Sequence, residues 1–159
     1  MIEGGGLGIY APEDIGPMDV QVPSGVVDIL VRDEQEAVTA AKKYLSYFQG
    51  RISTWVEPDQ RLMRRIIPEN RLRVYDIRKV IDTLSDEGWV MELRPKFGLG
   101  CITSLSRVEG RTVGIIANNP AHLGGAIDSD AADKASRFMQ VPSLWPFGVT
   151  HVEPEQEGA

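Results

Sequence analysis

Two β-rich runs, 100–108 and 112–117, stand on either side of Glu109-Gly110-Arg111. A break that short, with a glycine in it, folds the two runs back on each other as an antiparallel hairpin. A third run, 89–94, lies just upstream and is a further strand candidate. Helices are predicted on both sides of these strands. Asp76 caps a short one with Ile77, Val80, Ile81 and Leu84 on its apolar face, and Gly88 stops it. Downstream of Asn118-Asn119-Pro120 and Gly124-Gly125, a helix from Asp128 to Gln140 is expected to bury Ala132, Ala135, Phe138 and Met139.

The first half of the chain is less regular. Pro12, Pro17 and Pro23 make 9–24 an irregular, extended loop. Val26 to Val31, set between Gly25 and Asp33, predicts a buried strand. Asp33 followed by Glu36 resembles a capping box. It opens a helix with Ala37, Ala40, Ala41, Tyr44, Leu45 and Phe48 on one face, ended by Gly50. Residues 51–75 carry Pro58, Pro68 and five arginines (Arg61, Arg64, Arg65, Arg71, Arg73), and read as a connection between two packed units. The order of helix, strands, loop and helix gives an α/β fold class.

At 159 residues the chain can bury one good core or parts of two. A net charge of -6 argues against a phosphate-backbone binder, though an acidic protein can still hold a small anion at local cations or helix ends. Cys101 is the single cysteine, which excludes an intramolecular disulfide and a thiolate metal cluster. Within its apolar run it reads as a small buried hydrophobe. There is no apolar run of membrane-helix length, and no basic-then-apolar start of a secretory signal, so cytoplasm or mitochondrial matrix is the default. The chain opens on Gly4-Gly5-Gly6-Leu7-Gly8 and closes on a proline-bearing segment, 141–159, without period; both ends read as cut edges.

Two stretches can face a ligand. Gly4-Gly5-Gly6 either brings backbone close to one or is a flexible turn; no Gly-Lys-Ser/Thr follows, so it is not a P-loop. Asn118-Asn119-Pro120 through Gly124-Gly125 follows a strand and precedes a helix, where α/β folds often bind ligands. The alternative is a structural loop whose asparagines hydrogen-bond the local backbone. The arginines at 61–73 are a solvated face, a subunit contact or a phosphate contact. Asp128, Asp130 and Asp133 fit a helix N-terminus better than a calcium loop. His122 and His151 are too far apart in sequence to pair, so no metal site is predicted and no catalytic residue is assigned.

Several phrases resemble the carboxyltransferase (beta) component of biotin-dependent acyl-CoA carboxylases. They are Ile67-Pro68-Glu69-Asn70-Arg71 into Tyr75-Asp76-Ile77-Arg78, and Glu92-Leu93-Arg94 before Phe97-Gly98. Arg107 to Ile115 runs on into Ala117-Asn118-Asn119-Pro120, and Ile127-Asp128 through Asp133-Lys134-Ala135 to Arg137-Phe138 completes the series. The resemblance implies an incomplete crotonase-like fold: residues 1–50 ending an N-terminal half, 51–75 connecting, 76–140 opening a C-terminal half. The tail, 141–159, departs from the family, and Trp89 stands where the family has a small residue. It also implies acyl-CoA as substrate, and biotin as a cofactor carried on a partner domain. A biotin carboxyl carrier and a biotin carboxylase are then partners, in a homohexameric assembly. The chemistry passes through an enolate and a ureido anion, each stabilised by paired backbone N–H groups that lie mostly outside this chain. A non-catalytic remnant or interaction module, and a related acyl-CoA decarboxylase component, are the alternatives. Cut halves leave strand edges and apolar faces open, so the isolated chain is expected to aggregate or bind a hydrophobic dye.

Overall fold

The computed structural model describes residues 5–6, 8–11, 14–70 and 73–143, with side chains to 141. Gly4, Leu7, Pro12, Arg71, His151 and the tail from Leu144 onward lie outside the described residues. The helices are α1 (Met18–Gln21), α2 (Glu34–Ser46), α3 (Met63–Ile66), α4 (Ile77–Leu84) and α5 (Ser129–Ser143). Between α4 and α5 stand the strands β1 (Val90–Leu93), β2 (Cys101–Val108) and β3 (Arg111–Asn118). Single 3-10 turns, Gln60–Leu62 and Leu123–Gly125, precede α3 and α5.

The strands form one antiparallel sheet in the order β1-β2-β3, with Val90 opposite Ser106 and Val108 opposite Arg111. The hairpin expected at Glu109-Gly110-Arg111 is there, with the turn confined to Glu109-Gly110 because Arg111 already pairs with Val108. Both turn residues have positive φ, 51° and 74°, as a two-residue turn matched to the twist of its strands requires. The buried Asp86 carboxylate clamps that turn, accepting from Glu109 N–H at 3.0 Å and Gly110 N–H at 2.7 Å. β2 lies at the centre and is buried from Cys101 to Arg107.

Side-chain alternation divides the sheet into two faces. Met91, Leu93 and Leu105 meet Tyr47 and Phe138 in the hydrophobic core, with Ile29, Tyr44, Phe48 and Trp89 packed around them. On the opposite face Ser106 hydrogen-bonds Ser85, and Glu92 holds the α4 residue Arg78 through two bonds of 2.7 Å. Arg107 is on the core face and only 1% exposed. Its guanidinium donates to the carbonyls of Ser46, Gly50 and Gly110, and lies over the rings of Tyr47 and Trp89. Trp89 thus serves as one wall of a cation box.

Four expectations are corrected. Residues 9–24 are not extended throughout, because α1 (Met18–Gln21) starts directly after Pro17. Val26 to Val31 is not a buried strand: Val26 is 67% exposed, and the segment's backbone bond to the sheet is Arg94 N–H to Asp28 O, 2.8 Å. At the first residue of β1 and in the two residues before it, α2 side chains rather than a neighbouring strand take the carbonyls. Lys43 Nζ donates to Gly88 O and Val90 O, and Tyr47 Oη donates to Trp89 O. The packed face of α2 runs through Ala40, Lys43 and Tyr44 to the buried Tyr47; Leu45 is 58% exposed. In α5 the buried positions are Ala131, Lys134 and Phe138, with Ala132 and Met139 exposed. A polar residue inside each packed stripe shifted the apparent apolar face.

Within 51–75, Ile52 N–H reaches Gly110 O and Glu87 N–H reaches Val56 O, so residues 52–56 run beside the hairpin turn.

Candidate functional site

The end of β1, the start of β2 and the end of β3 come together at one edge of the sheet, where Cys101 stands opposite Asn118. Turn 94–100 and loop 119–128 close over that edge. Asn119, buried, ties the two together. Its N–H donates to Gly100 O at 2.9 Å and its Nδ2 to Leu99 O at 2.8 Å. Its Oδ1 accepts from Ala121 N–H at 3.2 Å. Asn118 Nδ2 reaches across the loop to Gly125 O at 3.0 Å. Both asparagine amides are therefore committed to neighbouring backbone.

The crest of the loop turns on three successive positive φ values: Leu123 (46°), Gly124 (66°) and Gly125 (89°). The glycines adopt them freely, whereas Leu123 is strained and 69% exposed. The N–H groups of Leu123 and Gly124 head a 3-10 turn, where no acceptor within the turn exists for them. Pro120 leads into the crest. Five predicted residues, Asn118, Asn119, Pro120, Gly124 and Gly125, are thus brought into one loop. Gly5 and Gly6 form an exposed turn, with open space where a Gly6 side chain would project, and Gly4 lies outside the described residues.

The sequence reading missed what supports this loop. A Cβ at Gly100 would stand 2.6 Å from Ala126 O, and one at Gly98 2.7 Å from Asp130 O. Only glycine lets turn 94–100 approach the loop and α5 so closely. The Gly98-Leu99-Gly100 spacing was the available signal. Above it Asp128 caps α5, its Oδ1 accepting from Ala131 N–H at 2.8 Å. Lys134, 1% exposed, descends from α5 to donate to Cys101 O at 2.8 Å. Burial holds the Lys134 ammonium below the usual lysine range, with Glu92 pulling the other way. Burial likewise pushes the Cys101 thiol up, which leaves it the inert small side chain expected.

Arg94, at the end of β1, has φ 53° and places Nε 2.7 Å from Asp28 Oδ1. The N–H does not point at the oxygen, so the contact is one of charge rather than a hydrogen bond. His122 Nε2 stands 3.5 Å from Asp128 Oδ2. Of the arginine cluster, Arg61 grips Asp59 through two bonds, and Arg65 lines a groove with Leu62, Ile66, Tyr75 and Lys79. Among the described residues no three His, Cys, Asp or Glu side chains could hold a metal ion. The loop presents backbone N–H groups on a glycine crest that packs on turn 94–100 and the start of α5.

The sequence profile of the carboxyl transferase domain matches residues 9–143. The biotin-dependent long chain acyl-coenzyme A carboxylase beta4 subunit of Mycobacterium tuberculosis is 30% identical over 151 residues, covering 88% of this chain and 29% of that protein. A putative propionyl-CoA carboxylase beta chain of Bacillus subtilis is 36% identical over 126 residues, 76% of this chain and 25% of its own. Among solved structures, a single-chain, multi-domain long-chain acyl-CoA carboxylase superposes with TM-score 0.85 at 57% identity, covering 87% of this chain and 14% of that one. A transcarboxylase 12S hexamer assembly, with hydrolyzed methylmalonyl-coenzyme A bound, gives TM-score 0.72 at 28% identity over 91% of this chain and 30% of that one. The chain therefore spans under a third of the length of these relatives.

Proposed function

The chain belongs to the carboxyl transferase family, with the α/β, crotonase-like fold of its solved relatives, and from that membership we propose that it is part of a carboxyltransferase. In this reading a carboxyl group passes from carboxybiotin to the α-carbon of an acyl-CoA. Biotin arrives on a carrier domain charged by a biotin carboxylase, and the subunits assemble as a homohexamer. Residues 1–50 close one half of the fold, and 76–140 open the other. The observation that carries the reading is one ordered match of sequence and fold together, 57% identity at TM-score 0.85 over 87% of the chain.

The reaction makes an enolate and a ureido anion, and its main electrostatic need is N–H donors preorganised on each. Such donors sit on glycine-bearing turns held by a rigid base, the kind of backbone that loop 118–125 presents. We assign this loop the role of lining the cleft, with the paired donors themselves supplied mostly from outside these residues. Asn118 and Asn119 then act by holding the crest in shape, and Gly124 and Gly125 by giving it room. Gly4, Gly5 and Gly6 are assigned a second, weaker part of the same lining.

A transplant tests the proposal. Residues 9–143 are placed in the matching segment of the long-chain acyl-CoA carboxylase, and acyl-CoA-dependent decay of carboxybiotin is followed. Carboxyl transfer is expected to persist. A folded, fully assembled chimera without transfer would overturn the assignment.

A further inference from the structure

Between Arg61 and Lys79 the chain carries seven cations and two carboxylates, against a net charge of -6 for the whole. Carboxyl transfer along loop 118–125 makes no use of this basic stretch. Two of the seven are matched within the fold, Arg61 by Asp59 and Arg78 by Glu92. Arg65 and Lys79 are exposed, and neither charged group has an ion-pair or hydrogen-bond partner among the described residues. Both line one groove of about 430 Å³, where the turn Gln60–Leu62 and α3 pack on α4. That size falls within the roughly 300–1,000 Å³ of small-molecule sites.

A basic face that serves only to meet water is polar around its charges. This one is not. Leu62 and Val74, both in the lining, stand 50% and 62% exposed, and Ile66, Pro68 and Tyr75 are half-buried beside them. Water meets that apolar surface at a cost that an apolar ligand removes. The charges set the other end of the ligand. Asp76, also in the lining, caps α4 by accepting from Arg78 N–H at 3.0 Å, and keeps its negative charge there. Two cations and one carboxylate leave the groove a single positive charge, which suits a monoanion better than a phosphate dianion.

We propose that the groove is a binding site for a long-chain carboxylate. The alkyl chain covers the apolar lining, and the carboxylate head meets Arg65 and Lys79. An arginine fork matches a carboxylate through two parallel bonds, and a lysine ammonium adds a point charge. The site is separate from loop 118–125 and does not depend on the carboxyltransferase assignment.

Site-resolved photolabelling of the full chain tests it. The probe is a fatty acid with a diazirine on its alkyl chain, and labelled residues are located by mass spectrometry. Each label is assigned to a residue, so the readout holds whether or not chains associate, and it separates the groove from the other exposed apolar faces. Label is expected between Leu62 and Lys79. Laurate should displace it, whereas dodecanol and dodecylamine, which share the alkyl chain but lack the negative head, should not. Arg65→Glu combined with Lys79→Glu should lower the label about fivefold. Both positions are exposed, so the fold does not depend on them. An unlabelled groove, equal displacement by all three amphiphiles, or a label that survives the double variant overturns the proposal. Displacement by coenzyme A, which has no alkyl chain, would make the groove a phosphate site and overturn it as well. None of these outcomes touches the carboxyltransferase assignment.

Discussion

Arg107 and Lys134 are both buried cations, and the fold treats them differently. Burial lowers the pKa of both, but Arg107 gives its two terminal nitrogens to three carbonyls and lies over two rings, leaving only its Nε without a partner. Lys134 donates to Cys101 O, its one acceptor among the described residues, and burial is the first cause of its lowered pKa. A lysine whose folded pKa falls below the ordinary 10.5 costs stability while it is charged. That cost is present in full below the folded pKa. It is relieved as pH rises from there toward the unfolded value. Lys134→Met keeps the stem and removes the proton, so wild type should gain stability relative to the variant between neutral and alkaline pH. Urea midpoints of both proteins across that range check it. Taking the difference cancels the opposite trend of Tyr44 and Tyr47, whose hydroxyl pKa values burial raises. A constant difference would mean that Lys134 sheds no burial cost.

At the scale of elements, α5 is positioned by glycines more than by its own apolar stripe. Gly98 combines φ 53° with Asp130 O at 2.7 Å and Asp130 C at 2.9 Å from the place of a Cβ. Gly98→Ala must therefore strain the turn and lift the first turn of α5. A cost of about 2–3 kcal/mol is expected. It should appear as a lower urea midpoint with faster amide exchange at Ala131 and Ala132 and little change in the Glu109-Gly110 turn. Equal exchange at both ends of the sheet would mean that α5 is held elsewhere. The hairpin end has its own fastening in Asp86 and Arg107, which is why the two ends should respond separately.

For the whole molecule, the exposed apolar side chains are the leading property. Ile9, Val20, Val26, Val38, Leu45 and Val56 are each more than half exposed, and β3 carries Ile116 exposed on a strand paired on one side. Such surface on a sheet edge invites association. The isolated chain is expected to bind a hydrophobic dye strongly and to elute above monomer size at micromolar concentration. Ile116→Lys should reduce self-association, because a lysine on an edge strand resists pairing. A monodisperse monomer that ignores the dye would show that these faces are tolerated in water.

What the sequence by itself determined is local. Glu109-Gly110 makes a hairpin because two residues of positive φ turn the chain between two strands, whatever surrounds them. Asp33, Asp76 and Asp128 cap helices because each carboxylate needs only an N–H two or three residues away. The ordered phrases from Ile67 to Phe138 were enough to point to the family that the profile match over 9–143 then established. What only the tertiary structure decided depends on partners distant in sequence. Val26 to Val31 has strand composition, but Lys43 and Tyr47 take the carbonyls of Gly88, Trp89 and Val90 that lead into β1. The buried faces of α2 and α5 pass through Lys43 and Lys134, which hydrophobic periodicity counts as outward. Each lysine is drawn in by carbonyls more than thirty residues away in the chain, a bond that no local pattern encodes.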